Sequence, residues 1–509
     1  MKKIIYKILI LVVTFQFVSC NDDLLDIPNP NTLTQAEFWQ TEEDARLGVN
    51  AIYAMFYKPG LWSRWIYFRL DLTSDEGFSS SPWLELGDWT RFQYINFNFW
   101  EGNVQTWRDT YKAIWRCNQV LANLPNIEFQ NQQEKNRLLA EAHFMRALHY
   151  YYAALLWENI PIVLDPSQPE DLPEQKPLQE VWMQIEDDLN IAMQSLPVSF
   201  DASNIGRPTK GAVKAFQARA FMQQQKWQQA KEALDYFFVG EGAGKYSLVD
   251  NYQDNFTHLN ENNSESVFEI QFSDVNRGGD GEGPNATMST NRPQFFAPNG
   301  IGWSDGEARP WIVDAFKSEL TIDGELDIRL RHTLFYPNLE ADFGDKVYGR
   351  DWQWGERVYF RKYARDYYRE NEDYFAQNNF RMVRYADILL LYAEVLNELG
   401  QTSNAYQYVN QVRARVKMRP LETAYPEIGN DPQLFLDRLK MERALELFSE
   451  SVRWADLKRW GDLSDPQKLA LVAARDPDFN NFVIGRSIRL PIPQQEVENN
   501  PNLNQNPQY

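Results

Sequence analysis

The constraint that most limits how this chain can fold is an alternation. Long segments carry apolar residues at helical spacing, and between them lie long stretches where that period vanishes but aromatic residues persist. Thr41, with Asp44 three residues on, has the form of a capping box, and Ala45, Val49, Ile52, Tyr53 and Phe56 follow on one helical face. A second amphipathic run carries Val104, Trp107, Tyr111, Ile114, Trp115 and Leu121. A third carries Leu138, Ala142, Met145, Tyr152 and Leu156, and Pro161 stops it. The pattern predicts further helices over 177–196, 209–238, 381–417 with a break near Gly400, and 433–460. Strand signals are few, the clearest being the alternation of Phe268, Ile270 and Phe272. The chain reads as mainly α.

Two helical stretches share an internal pattern. Ala218, Phe221, Trp227, Ala230 and Leu234 fall at the offsets of a tetratricopeptide helical hairpin, where small residues let paired helices approach closely. Ala393, Leu396, Ala405 and Val409 repeat part of it, while Gln217 and Thr402 break the consensus. No fixed period runs through the chain, so the expected architecture is a scaffold of helical hairpins with long insertions, not a regular solenoid.

The insertions span 71–103, 273–311 and 336–376. Gly, Pro, Asn and Asp punctuate all of them. Loops of this length are uncommon in compact domains unless they have a function, and aromatic richness argues against disorder. Trp, Tyr and Phe make up 14% of the chain, more than a core of this size needs. Flat rings beside polar groups suit a ligand with both C–H faces and hydroxyls. The candidate ligand-binding residues are Trp83 and Trp89, beside Glu85 and Asp88; Trp303 with Asp305 and Arg309, beside Glu307; and Tyr348, Trp352 and Trp354, beside Asp351 and Gln353.

Charge and rare residues exclude other classes. With 51 basic and 71 acidic residues the formal charge is −20, the wrong sign for a nucleic-acid partner. Cys20 and Cys117 are the only cysteines, and four histidines (His143, His149, His258, His332) offer no metal-ligand spacing, so neither a metal nor a cofactor is expected. Asp274, Asp280 and Glu282 supply hard oxygens near a glycine-rich stretch, but match no EF-hand spacing. Lys2, Lys3 and Lys7 precede an apolar run ending at Val18-Ser19-Cys20, about 15 residues against the ~20 needed to span a bilayer. This resembles a bacterial lipoprotein signal. It divides the chain into a signal peptide, 1–19; a lipidated Cys20 and tether, 20–40; and one domain, 41–509.

From Glu141 onward a wider resemblance builds. Glu141 to Tyr151 (EAHFMRALHYY), Gly206 to Ala215 (GRPTKGAVKA), Arg384 to Glu398 (RYADILLLYAEVLNE), Glu442 to Leu447 (ERALEL), Arg453 to Gly461 (RWADLKRWG) and the ending from Leu490 (LPIPQQE) through Asn500 to Tyr509 (NPNLNQNPQY) occur in the order found in the SusD/RagB family. The family consists of outer-membrane nutrient-binding lipoproteins of Bacteroidetes-type bacteria. Glu158-Asn159 departs from the usual Gly-Asp. Arg146, Arg384, Asp387 and Glu394 lie on apolar helices and are expected to pair inside the scaffold. Glu442-Arg443 with Glu446, and Arg453 with Asp456, have the spacing of partners on one helix face.

The resemblance implies a SusD-like fold and a non-enzymatic role. It implies that the chain captures an oligosaccharide or polysaccharide at the cell exterior, anchored by lipid in the outer membrane. The captured glycan would pass to a SusC-like TonB-dependent transporter. A non-glycan cargo such as peptide is the alternative. A glycoside hydrolase is a further one, with Asp71 and Asp75-Glu76, or Asp305 and Glu307, as candidate acid and base.

Overall fold

The computed structural model describes residues 38–94, 101–168, 170–279 and 286–509. The signal peptide, Cys20, most of the tether, Asp280 and Glu282 lie outside the described residues. Helices dominate. The main ones are α1 (Glu42–Tyr53), α2 (Trp65–Leu72), α3 (Leu84–Thr90), α4 (Glu101–Asn123), α5 (Gln132–Trp157), α6 (Leu178–Met193), α7 (Lys210–Gln223), α8 (Trp227–Phe238), α9 (Tyr385–Glu398), α10 (Thr402–Arg415), α11 (Pro432–Leu447) and α12 (Arg453–Arg459). Thr41 caps α1 with the reciprocal Asp44 bond that its sequence predicts.

Consecutive helices from α4 to α8 pack side by side, and α9 then packs on α8, α10 and α11. Ala218, Ala230, Ala393 and Ala405 are fully buried in the hairpins α7–α8 and α9–α10, where their small side chains allow the close approach the tetratricopeptide pattern predicts. Gln225, with φ +57, turns the chain between α7 and α8, so the run over 209–238 is two helices. Glu158 ends α5 at φ +66, a conformation that favours glycine. Its carboxylate is held by Lys458 (3.0 Å) and Arg489 (3.1 Å), which fix a strained residue where Gly is usual.

Strands are short and form antiparallel pairs: β1 (Gly77–Phe78), β2 (Ile160–Pro161), β3 (Gln175–Lys176), β4 (Ser266–Ile270), β5 (Glu307–Ala308), β6 (Leu334–Phe335), β7 (Tyr359–Phe360) and β8 (Phe380–Arg384). The pairs are β1·β5, β2·β3, β4·β8 and β6·β7. Residues 381–384, expected as the start of a helix, belong instead to β8. The strand pairs with β4 in the register Glu269↔Arg381 and Ile270↔Phe380, because both faces of this segment are buried.

The helix expected over 433–460 is broken at 448–452, where Ser449 (φ +64) and Ser451 (φ +60) turn the chain. The turn aims backbone N–H groups at buried carboxylates: Ser449 donates to Glu76 (3.0 Å) and Ser451 to Asp71 (2.8 Å). Two left-handed serines cost about 1–3 kcal/mol each, which these bonds offset.

Most of the polar landmarks pair across the fold, and Asp456 also pairs within its own helix. Glu446 receives Arg384 (2.5 Å), Arg415 (2.5 Å) and Arg329 (3.1 Å), and Glu442 receives Arg329 and Arg413. Arg453 pairs with Asp75 (2.7 Å), while Asp456 pairs with Arg443 (2.8 Å) and Arg459 (2.8 Å). Arg146 binds Asp188, and Glu394 binds Arg459.

Burial alone would raise the Asp387 pKa, but Arg219 (2.7 Å) and Arg443 (2.9 Å) outweigh it and hold the group at about 2, against a usual 3.8. Ionised Asp387 therefore stabilises the fold above pH ~4, and that contribution is lost as pH falls towards 2. Thermal unfolding followed from pH 6 to pH 2 is expected to show a fall in Tm that steepens below pH 4. In Asp387→Asn the starting Tm is lower and the acid-dependent fall is shallower.

Candidate functional site

The β1·β5 pair brings the first two insertions together. Gly77 lies opposite Ala308 and Phe78 opposite Glu307. Beyond the pair, Ser81 Oγ donates to Asp305 Oδ1 (2.5 Å) and Ser80 Oγ donates to Glu307. The Trp311 indole N–H donates to the Asp75 carbonyl (2.5 Å), and Arg309 N–H donates to the Glu76 carbonyl (2.8 Å). The third insertion joins through Ala308 N–H to the Val358 carbonyl (2.9 Å) and Arg350 to the Gly300 carbonyl (3.1 Å). Sequence spacing shows three separate insertions; hydrogen bonds make them one surface.

Trp303 stands at the confluence. Its backbone N–H is fixed to the Gln294 carbonyl (2.7 Å), and Asp305 N–H to the Phe295 carbonyl (2.8 Å), so the short helix Arg292–Phe296 carries the turn. The Trp303 side chain is 52% exposed and sits edge-on to buried Phe295, with centroids 4.7 Å apart. Tyr374, half-buried, lies 6.0 Å from it at an interplanar angle of 47°. Trp83, also half-buried, approaches Phe295 from another side (6.4 Å) and rests against Trp65 (4.9 Å). Arg64 lies over both Phe295 (5.3 Å) and Tyr374 (5.4 Å), a cation on two ring faces that locks the base of the group. Trp352 and Trp354 form a T-shaped pair (5.3 Å), and the Trp354 indole donates to the Asn299 carbonyl (2.9 Å), which places this pair beside the turn that bears Trp303.

Four candidates do not face solvent as ligand contacts, and each has a physical reason. Trp89 is buried against Trp65 (5.7 Å) and against Gly102, at whose position a Cβ would meet the Trp89 ring at 2.6 Å. Tyr348 is buried, with its hydroxyl on Glu372 (2.5 Å). Asp305 is buried and occupied by Ser81, and burial raises its pKa against that bond. Arg309 lies over Phe78 (4.1 Å) and is clamped by Asp476 (2.6 Å) and Asp478. Asp305 and Arg309 shape the loops from beneath. Tyr374 and Arg64 complete the group. Tyr374 falls within an aromatic-rich insertion, but Arg64 precedes all three and carries no sequence signal.

The carboxylates considered as an acid and base are engaged in the interior. Asp71 is buried on Arg292 (2.7 Å), Asp75 on Arg453, and Glu76 on the Ser449 N–H. Two clefts lie elsewhere. One of about 830 Å³ runs between α1 and β4, past Tyr53, Tyr57 and Arg207. Another of about 590 Å³ lies among α4, α5 and α6, beside His143. Neither contains the half-exposed tryptophans.

Two family models match this chain: the SusD family over residues 264–509, and a family described as starch-binding associating with outer membrane over 73–222. The chain belongs to the SusD family. A SusD-like protein of Formosa agariphila is 28% identical, over 98% of this chain and 97% of its own. A SusD superfamily protein of Bacteroides vulgatus superposes with a TM-score of 0.80 at 24% identity, covering 93% of this chain and 100% of that one. A laminarin-binding SusD-like protein superposes with a TM-score of 0.76 at 26% identity, covering 92% and 100%.

The burial contrast within the candidate set makes a stability prediction. Trp89→Ala leaves a cavity and is expected to cost about 3–5 kcal/mol in chemical denaturation, whereas Trp303→Ala is expected to cost about 1 kcal/mol or less. Equal losses would contradict the distinction between support and exposed ring.

Proposed function

We propose that this SusD family member is a lipid-anchored protein of the outer cell surface. It captures a glycan on the loop surface around Trp303 and passes it to a SusC-like TonB-dependent transporter. The observation that carries the reading is the half-exposed Trp303 indole beside Tyr374, held on a base of buried rings. The C–H face of a pyranose packs on such a ring, while its hydroxyls need polar groups at the rim. Exposed Asp351, Gln353 and Asn371 lie in the loops that join here. The laminarin-binding relative supports a glycan as the ligand class.

Capture must be reversible. A few stacked rings on an open surface suit dissociation constants from micromolar to millimolar, roughly −4 to −8 kcal/mol, and such binding releases cargo on demand. Cys20 supplies the attachment, and the segment after it supplies the tether. Glycan that touches both this chain and the transporter favours their closed arrangement by its extra contacts. The engagement of Asp71, Asp75 and Glu76 in buried pairs supports binding without hydrolysis, since none of them faces the surface where the glycan would lie.

Affinity electrophoresis of the purified chain against laminarin, amylopectin, xylan and mannan tests the reading. Retardation by at least one polymer is expected, and Trp303→Ala is expected to weaken that binding about tenfold or more. Undiminished binding by Trp303→Ala, or new reducing ends released from the polymer, would contradict it.

A further inference from the structure

A second group of rings lies on the same insertion as Tyr374. Tyr367 and Tyr368 pack against each other (4.9 Å), and His258 stacks on Tyr367 (5.7 Å, 29°) and meets Tyr368 edge-on (5.0 Å). Tyr368 is 46% exposed, and the neighbouring Leu259 is exposed as well. An exposed ring backed by two others presents a flat apolar face of the kind that recurs at ligand contacts.

The group is held in place from within. The His258 backbone N–H donates to the Tyr367 hydroxyl oxygen (3.2 Å), and that hydroxyl lies 2.6 Å from His258 Nδ1. The two contacts tie the Tyr367 hydroxyl to both the backbone and the ring of His258, which orients the imidazole. Burial lowers the His258 pKa, which favours the neutral ring near pH 7. The two rings beneath Tyr368 are thereby fixed.

Contacts connect this group to Trp303. Tyr374, beside Trp303, packs on Phe375 (5.5 Å). Asp373 binds Arg369 (2.9 Å), whose guanidinium lies 5.7 Å from the Tyr368 ring. Buried Arg365 staples the whole turn: it donates to the Phe375 carbonyl (2.8 Å) and to Asp373 (2.7 Å), while its own carbonyl accepts the N–H of Tyr368 (3.2 Å) and of Arg369 (3.0 Å). Tyr374 lies six positions after Tyr368, so their Cα atoms are at most about 20 Å apart. A glycan of a few pyranose units is long enough to reach from one ring to the other within that limit.

We propose that Tyr368, backed by Tyr367 and His258, is a second stacking station for a sugar ring, so that the cargo is a glycan chain long enough to reach from Trp303 to Tyr368. This rests on the glycan-binding reading of the Trp303 surface. Stacking at both stations would make affinity rise with chain length until the span is covered, then level off.

Calorimetry tests this with the laminari-oligosaccharides from the dimer to the hexamer and with laminarin itself; if the panel selects another polymer, its own oligosaccharide ladder replaces them. Tyr368→Ala is expected to weaken polymer and longest-oligosaccharide binding about three- to tenfold while leaving the shortest bound oligosaccharide unchanged. Tyr368→Phe, which keeps the ring, is expected to restore the long-chain affinity. Trp303→Ala is expected to lose affinity at every length. If Tyr368→Ala matches the unaltered chain at every length while Trp303→Ala is impaired, the second station is wrong and the glycan reading stands. If Tyr368→Phe falls as far as Tyr368→Ala, stacking is not the interaction and the proposal fails. If Trp303→Ala is unimpaired, or the unaltered chain binds no glycan, the underlying reading fails and takes this one with it.

Discussion

Three arginines on one buried carboxylate organise the molecule. Glu446, at the end of α11, receives Arg384 from β8, Arg415 from α10 and Arg329 from the helix Ile328–Thr333. Burial would raise its pKa, but Arg415, Arg384 and Arg329 hold it well below the usual carboxylate range. An interior charge persists only when its partners are complete, and removing one partner of such a pair costs about 3–5 kcal/mol. The geometry of the elements that meet here is therefore tightly determined.

The same stretch of chain then anchors each insertion. Lys362, in the third, binds Glu450 (2.8 Å) and the Glu446 carbonyl (2.9 Å). Arg292, in the second, binds the Ser449 carbonyl (2.8 Å) and also Asp71 (2.7 Å) of the first. Asp75, in the first, binds Arg453. Segment 446–453 thus reaches all three loops by buried ion pairs or charge-assisted bonds. These buried polar residues thus support from beneath the loops that bear the exposed rings. Long loops usually lose precision, but here an ionic base returns it.

Features set by local chemistry were legible in the sequence. The Thr41 cap, the apolar faces of α4, α5 and α6, and the buried alanines of α7–α8 and α9–α10 depend on residues within a few positions of one another. The errors fall where a distant partner decides. Residues 380–384 form β8 because β4 lies more than a hundred positions upstream, and the 448–452 turn is shaped by Asp71 and Glu76 from the other end of the chain. The spacing of Arg453 and Asp456 suggested a helix-face pair, yet Arg453 reaches Asp75. At the surface, composition marked aromatic-rich insertions but did not rank their aromatic residues by exposure. Trp89 and Trp303 have the same sequence character, and only packing separates a buried indole against Gly102 from one 52% exposed. Asp305 and Arg309 looked like a polar rim and are structural pins, while Arg64 carried no signal at all.

On the proposed function the cargo lies against the exposed rings around Trp303 and in neither cleft. A crystal structure of the chain soaked with an oligosaccharide from the polymer it binds tests this most directly. The account predicts sugar density against the faces of Trp303 and Tyr374. Density in the cleft between α1 and β4, or in the one beside His143, with Trp303 bare, would contradict it.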